Sequence, residues 1–254
     1  MFNLIDGKKS LVTGGAQGIG YAVALIYGQN GADVVIADIN YDLAVRSAEE
    51  IGKQTGKKIL PCKVDISDRQ SVNEMVDFAV GELGRIDICC HSAGILIHSP
   101  LMEMSEEQWD RIFDVNVKGT FFVNQAVARV MKDNGGGKIV DFSSCSGKKP
   151  TLQEGGYCST KSAVNGFIKV AALEWGQYSI NVNAVCPGAT DTPMVRETFL
   201  TSEEIEREWI EKTALKRLGQ PIDQARAVLF LSSILADHIT GETLVVSAGE
   251  MMTQ

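Results

Sequence analysis

Residues 11–40 read "LVTGGAQGIGYAVALIYGQNGADVVIADIN", and this stretch decides the fold. A short apolar run leads into three glycines, a helical pattern follows, and a second apolar run ends at Asp38. That order predicts a strand, a turn, a helix and a second strand, which together make a βαβ unit. Gly14 permits the tight turn, Gly18 lets backbone N–H groups approach a ligand, and Gly20 lets the helix pack closely on the strand.

The same stretch predicts a dinucleotide site, although an ordinary strand-to-helix turn is the simpler alternative. The helix N-terminus would face a pyrophosphate with its unpaired N–H groups. Asp38 closes the second strand, where its carboxylate can accept hydrogen bonds from both adenosine ribose hydroxyls. A 2′-phosphate there would meet like charge at a cost of about 1 to 4 kcal/mol. No Arg or Lys follows Gly14 to offset that cost, so we expect the cofactor to be NAD rather than NADP.

The alternation of strand and helix patterns continues along the rest of the chain. Short Val- and Ile-rich runs alternate with helical patterns, for example 22–30 ending at Gly31 and 72–83 ending at Gly84. Runs that are apolar almost throughout favour parallel strands buried on both faces. We therefore predict an α/β fold, a single doubly wound, Rossmann-like domain over residues 1–254 with helices on both faces of a parallel sheet. Its seven or so strands are "KSLVTG", "DVVIAD", "KILPCKVD", "RIDICCHSAG", "GKIVDFSS", "INVNAVCPG" and "ETLVVSAG".

Composition excludes several classes of function. The chain of 254 residues carries 24 basic and 32 acidic side chains, a net charge of -8 that argues against nucleic-acid and anionic-membrane partners. It shows neither a signal peptide nor an apolar run long enough to span a bilayer, so we expect a cytoplasmic protein. The six cysteines form no CxxC and pair with none of the three histidines at ligand spacing. We expect no metal site, and buried thiols in a reducing compartment.

Residues 143–161, "SSCSGKKPTLQEGGYCSTK", hold the candidate chemistry. Tyr157 and Lys161 are four apart on a predicted helix and share one face. A free tyrosine has a pKa near 10, and bringing it to neutral pH requires roughly 3 to 4 kcal/mol. One ammonium at about 4 Å supplies about 4 kcal/mol, so Lys161 is predicted to lower the pKa of Tyr157. Ser144 ends a strand at the carboxyl edge of the sheet, where such folds bind ligands. A solvated helix pair and a strand-end hydroxyl are the plainer alternatives.

Several motifs in order resemble the short-chain dehydrogenase/reductase family, in its one-domain branch of about 250 residues. The resemblance covers nearly the whole chain. The matching stretches are Thr13-Gly14-x-x-x-Gly18-x-Gly20, "VDIS" with Asp65, "SAG" at 92–94, "NVKG" with Asn116, Tyr157-x-x-x-Lys161, and "PGATDT" from Pro187 to Thr192.

The resemblance implies a role for each matching residue. Ser144 would bond the substrate oxygen and Tyr157 would transfer its proton. Lys161 would also hold the ribose, and Asn116 would complete a water-mediated proton relay. Asp65 would contact the adenine, although it equally suits a turn before the next helix. The implied cofactor-binding residues are Gly14, Gln17, Gly18, Ile19, Gly20, Asp38, Asp65, Ile66, Ala93, Gly94, Tyr157, Lys161, Pro187, Gly188, Thr190 and Thr192.

Two segments depart from the family pattern. The usual Asn-Asn-Ala-Gly reads His91-Ser92-Ala93-Gly94, which implies a change in cofactor affinity but not in the chemistry. The usual Asp-Gly-Gly near the C-terminus reads Ser247-Ala248-Gly249, which bears on interface details. The charged, amphipathic segment 201–219 resembles a mobile substrate lid, although a solvated helix is the simpler description.

The function implied is an NAD(H)-dependent oxidoreductase that interconverts a secondary alcohol and a ketone on a small molecule. The run "SCSGKKP" is similar to that of sugar-alcohol dehydrogenases, while the scaffold is equally similar to 3-oxoacyl-thioester reductases. A non-catalytic dinucleotide-sensing protein would typically lose Tyr157 or Lys161. An epimerase or dehydratase would need a further C-terminal substrate domain.

Three further expectations concern surfaces and thiols. The family is usually tetrameric, and apolar stripes at 109–131 and 163–175 either pair subunits or face the sheet. Lys148 and Lys149 would hold an anionic group of the substrate, or simply solubilise a loop tip. Cys145 and Cys158 flank Ser144 and Tyr157 and are expected to serve packing rather than redox chemistry.

Overall fold

A computed structural model describes residues 4–198, 200 and 202–252. Seven strands form one parallel sheet in the order β3-β2-β1-β4-β5-β6-β7. Each strand falls within a run predicted from the sequence, and the doubly wound fold is confirmed. The strands are β1 (Lys9–Thr13), β2 (Asp33–Asp38), β3 (Ile59–Lys63), β4 (Ile88–His91), β5 (Gly137–Phe142), β6 (Ile180–Pro187) and β7 (Thr243–Val246).

Helices cover both faces of this sheet. One layer contains α1, α2 and α9, and the other contains α3, α5 and α6. The helices are α1 (Gly18–Gln29), α2 (Tyr41–Thr55), α3 (Arg69–Leu83), α4 (Glu106–Phe113), α5 (Gly119–Asp133), α6 (Gly155–Trp175), α7 (Pro193–Thr198), α8 (Glu203–Lys212) and α9 (Pro221–Leu231). A π-helical turn, Asp114–Lys118, joins α4 to α5.

Local sequence explains where the helices begin and end. The α3 helix begins three residues before the predicted Val72, because the Asp68 carboxylate accepts a hydrogen bond from the backbone N–H of Gln70. It ends at Gly84, whose φ of +83° is the left-handed conformation that glycine adopts freely. The α1 helix begins within the glycine turn itself, at Gly18 rather than Ala22.

Both faces of the sheet are buried under helices. Adjacent residues Leu11 and Val12 of β1 are both fully buried and pack into opposite layers. Burying one such side chain contributes about 1.5 to 3 kcal/mol. All strands run in the same direction, so their carboxyl ends share one edge. The strand order reverses between β1 and β4, and a crevice at that point is the expected ligand site.

Candidate active site

In the glycine turn after β1, nothing larger than glycine fits at Gly14 or Gly20. Gly14 and Gly18 have φ values of +63° and +59°. A Cβ on Gly14 would lie 2.7 Å from the backbone of Ala93, and one on Gly20 would lie 2.1 Å from the carbonyl oxygen of Gly14. A cavity lies beside this turn, and it is lined by Gln17, at the N-cap of α1, and by Ile19. The first N–H groups of α1 have no partner within the helix, so this turn suits the pyrophosphate of a dinucleotide.

The carboxyl end of β2 presents Asp38 to this cavity. Its Oδ2 accepts a hydrogen bond from the N–H of Ala16 at 3.1 Å, and its Oδ1 accepts one from Asn40 at 3.0 Å. These two bonds fix the carboxylate at the cavity wall and leave lone pairs for further donors.

Asp65 and Ile66 line the same wall beyond β3. Asp65 Oδ1 accepts hydrogen bonds from the N–H and the hydroxyl of Ser67, at 2.9 and 2.6 Å. The bond from the Ser67 hydroxyl holds the pKa of Asp65 below its ordinary value, with burial acting in the opposite direction. Asp65 therefore has the turn role that the sequence left open, and its contact with adenine remains a prediction.

His91 begins the segment that departs from the family's Asn-Asn-Ala-Gly pattern, and its contacts explain how a histidine is accommodated there. His91 ends β4, is fully enclosed, and shares a 2.7 Å hydrogen bond through Nδ1 with the hydroxyl of Thr13 on β1. Burial lowers the pKa of His91 to about 3, so the imidazole is neutral. The segment that follows brings Ala93 and Gly94 to the cavity.

Asn116 is buried beside the cavity but is not among the residues that line it. It lies in the π-helical turn, a conformation often found at functional sites. Its Oδ1 accepts a hydrogen bond from the N–H of Ile95 at 2.9 Å, and its Nδ2 donates to the Ile95 carbonyl at 2.8 Å. Nδ2 also donates to the hydroxyl of Thr160 on α6 at 3.2 Å. Asn116 thus joins the loop after β4 to α6.

Ser144, Tyr157 and Lys161 converge on one wall of the cavity. The Ser144 hydroxyl is hydrogen-bonded to the Tyr157 phenol. The ammonium of Lys161 lies 5.6 Å from the centre of the Tyr157 ring and donates to the Phe142 carbonyl at 2.8 Å. The structure therefore brings together the three residues that the sequence spacing singled out.

Burial dominates the electrostatics of this wall. It raises the pKa of Tyr157 above its ordinary value, and the hydrogen bond with Ser144 acts in the opposite direction. It also lowers the pKa of Lys161 to about 8. The expected lowering of the Tyr157 pKa does not appear in this structure, because the desolvation of the phenol outweighs the other contributions.

A second charged group lies behind Lys161. Asp141 on β5 is the register partner of His91, and its Oδ1 accepts a 2.8 Å hydrogen bond from Asn124. Burial raises the pKa of Asp141 to about 7, and its charge raises the pKa of Lys161 against the larger effect of desolvation. Sequence reasoning missed Asp141 because it lies within an otherwise apolar strand.

The predicted nicotinamide end lies after β6. Pro187, Gly188, Thr190 and Thr192 all line the cavity. The Thr192 hydroxyl accepts a hydrogen bond from the N–H of Val195, and its side chain lies against Gly18 across the cavity mouth. The Thr190 hydroxyl donates to the Gly188 carbonyl and accepts from Gln224, so its hydroxyl also stabilises the turn.

Two acidic side chains of the cavity were not anticipated. Glu250 Oε2 accepts a hydrogen bond from the N–H of Ala189 and closes the wall from the C-terminal segment. Glu154 lies three residues before Tyr157 and is only 3% exposed. Its spacing from Tyr157, just under one helical turn, was the signal that could have identified it.

The two lysines after Ser144 have different environments. Lys148 donates to the Thr243 carbonyl at 2.8 Å and is held against β7, away from the expected anion site. Lys149 is exposed and lines the cavity. Anion binding by this pair stays a prediction, and Lys149 is the member that lines the cavity.

The cysteines of the chain are unpaired and mostly buried. All six cysteines are free, and burial raises the pKa of both Cys145 and Cys158. Among the described residues, no cluster of metal-ligating side chains occurs and no helix is both long and apolar enough to cross a membrane.

The charged segment 201–219 contributes one helix to the cavity rim. Its helix α8 is largely solvated, and Trp209 and Lys212 line the cavity beside Met194 of α7. The cavity measures about 770 Å³, within the usual range for a ligand site. Residue 201 lies outside the described residues, and the lid role remains a prediction.

Comparisons with known proteins agree with this geometry. Residues 14–250 match the family model described as enoyl-(acyl carrier protein) reductase. The chain is 35% identical over 249 residues to 3-oxoacyl-(acyl-carrier-protein) reductase FabG of Chlamydia muridarum, covering 98% of this chain and 99% of that one. It is 36% identical over 258 residues to sorbitol dehydrogenase of Cereibacter sphaeroides, with coverage of 98% and 99%.

Solved structures show the same likeness. A short-chain type dehydrogenase/reductase from Mycobacterium marinum has a TM-score of 0.93 at 36% identity, over 99% of this chain and 98% of that chain. A 7α-hydroxysteroid dehydrogenase complexed with NADH and 7-oxo glycochenodeoxycholic acid also has a TM-score of 0.93, at 35% identity over 97% and 95% of the two chains.

The chain belongs to the short-chain dehydrogenase/reductase family. It is an oxidoreductase that acts on hydroxyl and keto groups and uses a nicotinamide cofactor. The glycine turn, in which an added Cβ would strike backbone, is the feature of this structure that suits such a cofactor.

Proposed function

We propose that this member of the short-chain dehydrogenase/reductase family interconverts a secondary alcohol and a ketone with NAD(H), and that its substrate is a small polyol or related hydroxy compound. One observation carries the proposal. Ser144, Tyr157 and Lys161 line the same cavity as the glycine turn, so a cofactor on that turn and a substrate at Ser144 would lie together.

Tyr157 is the proposed proton donor and acceptor for the substrate oxygen. Its raised pKa keeps the phenol protonated at neutral pH, which suits donation to a ketone oxygen. Ser144, already hydrogen-bonded to the phenol, is placed to bond the same substrate oxygen. A bound NAD(H) supplies or accepts the hydride. Reduction of the ketone thus requires that Tyr157 is protonated and that the Ser144 hydroxyl is hydrogen-bonded to the substrate oxygen.

Lys161 and Asn116 support that proton transfer. The pKa of Lys161, about 8, leaves the ammonium mostly charged at neutral pH, and its position beside the Tyr157 ring favours the phenolate when alcohol is oxidised. Asn116 fixes the loop after β4 against α6. We propose that it also anchors the water-mediated relay implied by the family resemblance.

NAD rather than NADP is proposed as the cofactor. The support is Asp38, whose carboxylate is fixed at the cavity wall by the N–H groups of Ala16 and Asn40. Its neighbour on the wall, Ile39, brings no positive charge for a 2′-phosphate. The similar 7α-hydroxysteroid dehydrogenase was solved with NADH.

A 3-oxoacyl-thioester reductase is the second candidate. The similarity to the FabG of Chlamydia muridarum, at 35% identity over nearly both chains, favours it. The similarity to a sorbitol dehydrogenase at 36% identity favours the polyol instead. Hydroxyl groups on the cavity wall, from Ser144, Ser146 and Thr151, add support for a polar substrate.

A panel assay decides between these functions. Purified enzyme would be given polyols, hydroxy acids, hydroxysteroids, simple secondary alcohols and, in the reverse direction, 3-oxoacyl thioesters, with NADH absorbance as the readout. We expect the largest kcat/KM with a polyol. A thioester as the best substrate would favour the second candidate. NADH binding without turnover of any class would favour the dinucleotide-sensing protein.

A homotetramer is proposed from the outer faces of α5 and α6. Phe121, Val170 and Leu173 are apolar and exposed there, at 38%, 54% and 83%. The apolar residues predicted from the sequence thus fall on two faces of these helices. Val123 and Ile168 face the sheet, whereas the exposed residues remain for subunit pairing. Light scattering of the purified protein tests the assembly. The six free thiols support a cytoplasmic location.

A further inference from the structure

Glu154 is a buried carboxylic acid of the cavity to which the catalytic scheme gives no role. It precedes the first turn of α6 and is only 3% exposed, yet it lines the cavity. Among the residues that the structure describes, Oε2 of Glu154 is fully buried and has no hydrogen-bond partner. A buried carboxyl oxygen without a hydrogen-bond partner costs free energy. We therefore expect a donor from outside the protein to bind it.

The surroundings of Glu154 identify where that donor would come from. Glu154 is hydrogen-bonded to the Ser146 side chain, and the Ser146 hydroxyl lies 3.3 Å from that of Thr151. The backbone carbonyl of Glu154 accepts from Cys158, so Glu154 and Tyr157 begin the same helix on the cavity side. Glu154 lines the cavity beside Tyr157, so a group bound in that cavity is the external donor nearest to its carboxyl.

Charge around Glu154 sets the chemistry of the donor. Burial raises the pKa of Glu154, while Ser146 and the imidazole of His98 act in the opposite direction. Glu250 on the opposite segment adds negative charge to this part of the cavity. An anionic or purely apolar group against Oε2 would leave the carboxyl unpaired, whereas a hydroxyl group would donate to it.

We infer that Glu154 is a specificity-determining residue that accepts a hydrogen bond from a second hydroxyl of the substrate, next to the carbinol that reacts at Ser144 and Tyr157. The inference rests on the proposed alcohol–ketone function and narrows it to substrates with at least two hydroxyls. A 3-oxoacyl chain would place methylene groups against the same oxygen and leave it without a partner.

The test compares 2,3-butanediol with 2-butanol, which differ by one hydroxyl. Hydrogen bonds to charged groups are strong enough that the wild type should favour the diol in kcat/KM by about 10- to 100-fold. Glu154→Leu should reduce that preference to a few-fold at most, by lowering kcat/KM for the diol alone. Glu154→Gln keeps an acceptor but loses the charge, and should retain an intermediate preference.

Control variants separate specificity from folding. Glu103→Leu removes an exposed carboxylate that does not line the cavity, and it should leave the preference unchanged. Thermal melting and NADH binding establish that each variant is folded. If Glu154→Leu does not fold, Glu154→Gln carries the test, and a diol preference equal to that of the wild type would overturn the inference.

Three further outcomes distinguish a failure of the inference about Glu154 from a failure of the proposed alcohol–ketone function. Equal kcat/KM for diol and mono-alcohol in the wild type overturns the role of Glu154 and leaves the alcohol–ketone function standing. A larger Glu154-dependent preference for 3-amino-2-butanol than for the diol overturns the hydroxyl assignment. Failure to oxidise any alcohol in the wider panel counts against the proposed function itself.

Discussion

The glycine loop, residues 14–20, and the substrate wall, residues 144–154, form opposite sides of one cavity and are built on opposite principles. In the glycine loop the backbone shapes the cavity, and at Gly14 and Gly20 a Cβ would strike neighbouring backbone. In the substrate wall the side chains line the cavity, with hydroxyls on Ser144, Ser146 and Thr151 and a buried carboxyl on Glu154. We propose that the glycine loop binds the nicotinamide cofactor and that the substrate wall selects the substrate.

That difference determines which substitutions are severe. Gly14 and Gly20 tolerate no added Cβ, because the atoms that it would strike are backbone. The substrate wall tolerates substitution of single side chains but changes what it binds.

The largest expected effect comes from Gly20→Ala. The new Cβ would lie 2.1 Å from the Gly14 carbonyl oxygen, so the turn must move away from the pyrophosphate position. NADH affinity measured by fluorescence titration should fall by about 100-fold or more.

Gly166→Ala is the matched control, because that position in α6 has open space around the added methyl. It should bind NADH normally and melt at or above the wild-type temperature, since alanine is the better helix former. Normal NADH binding by Gly20→Ala would contradict the account of the glycine loop.

A smaller effect is expected for cofactor choice at Asp38. Wild-type kcat/KM with NAD should exceed that with NADP by about one to three decades, because a 2′-phosphate would meet the fixed carboxylate. Asp38→Asn should narrow the ratio by weakening that repulsion. Asp42→Asn, on exposed α2, removes the same charge away from the cavity and should leave the ratio unchanged. Equal efficiencies in the wild type would refute the assignment.

The two sides of the cavity also differ in how far the sequence predicts them. The glycine turn, all seven strands and the positions of Tyr157 and Lys161 follow from local periodicity and spacing, which depend on neighbours in the chain. The pairing of His91 with Thr13, and the place of Asp141 beside them, depend on strands 50 or more residues apart in sequence being brought into register. Burial is also a tertiary property, and it reversed the expected direction of the Tyr157 pKa.

A further prediction concerns the pH dependence of stability that buried Asp141 introduces. The folded pKa of Asp141 is about 7, above its ordinary 3.8, so the folded state holds a proton that the unfolded state has released. Its contribution to stability is present below pH 3.8 and is lost as pH rises through 7. The difference corresponds to about 4 kcal/mol at most.

Asp141→Asn removes that dependence. We expect the variant to melt several degrees above the wild type at pH 8 and close to it at pH 4, by calorimetry at each pH. Because both proteins contain His91 and Lys161, their own titrations largely cancel in the comparison. A constant difference across this range would contradict the assigned pKa.

The most direct test of the central claim is the turnover of Tyr157→Phe, measured beside its affinity for NADH. The claim is that the glycine loop binds the cofactor independently, while proton transfer to the substrate oxygen depends on the Tyr157 phenol. The variant should lose at least about 10²-fold in kcat and bind NADH with a Kd close to that of the wild type. A kcat near the wild-type value in the purified variant would contradict the account.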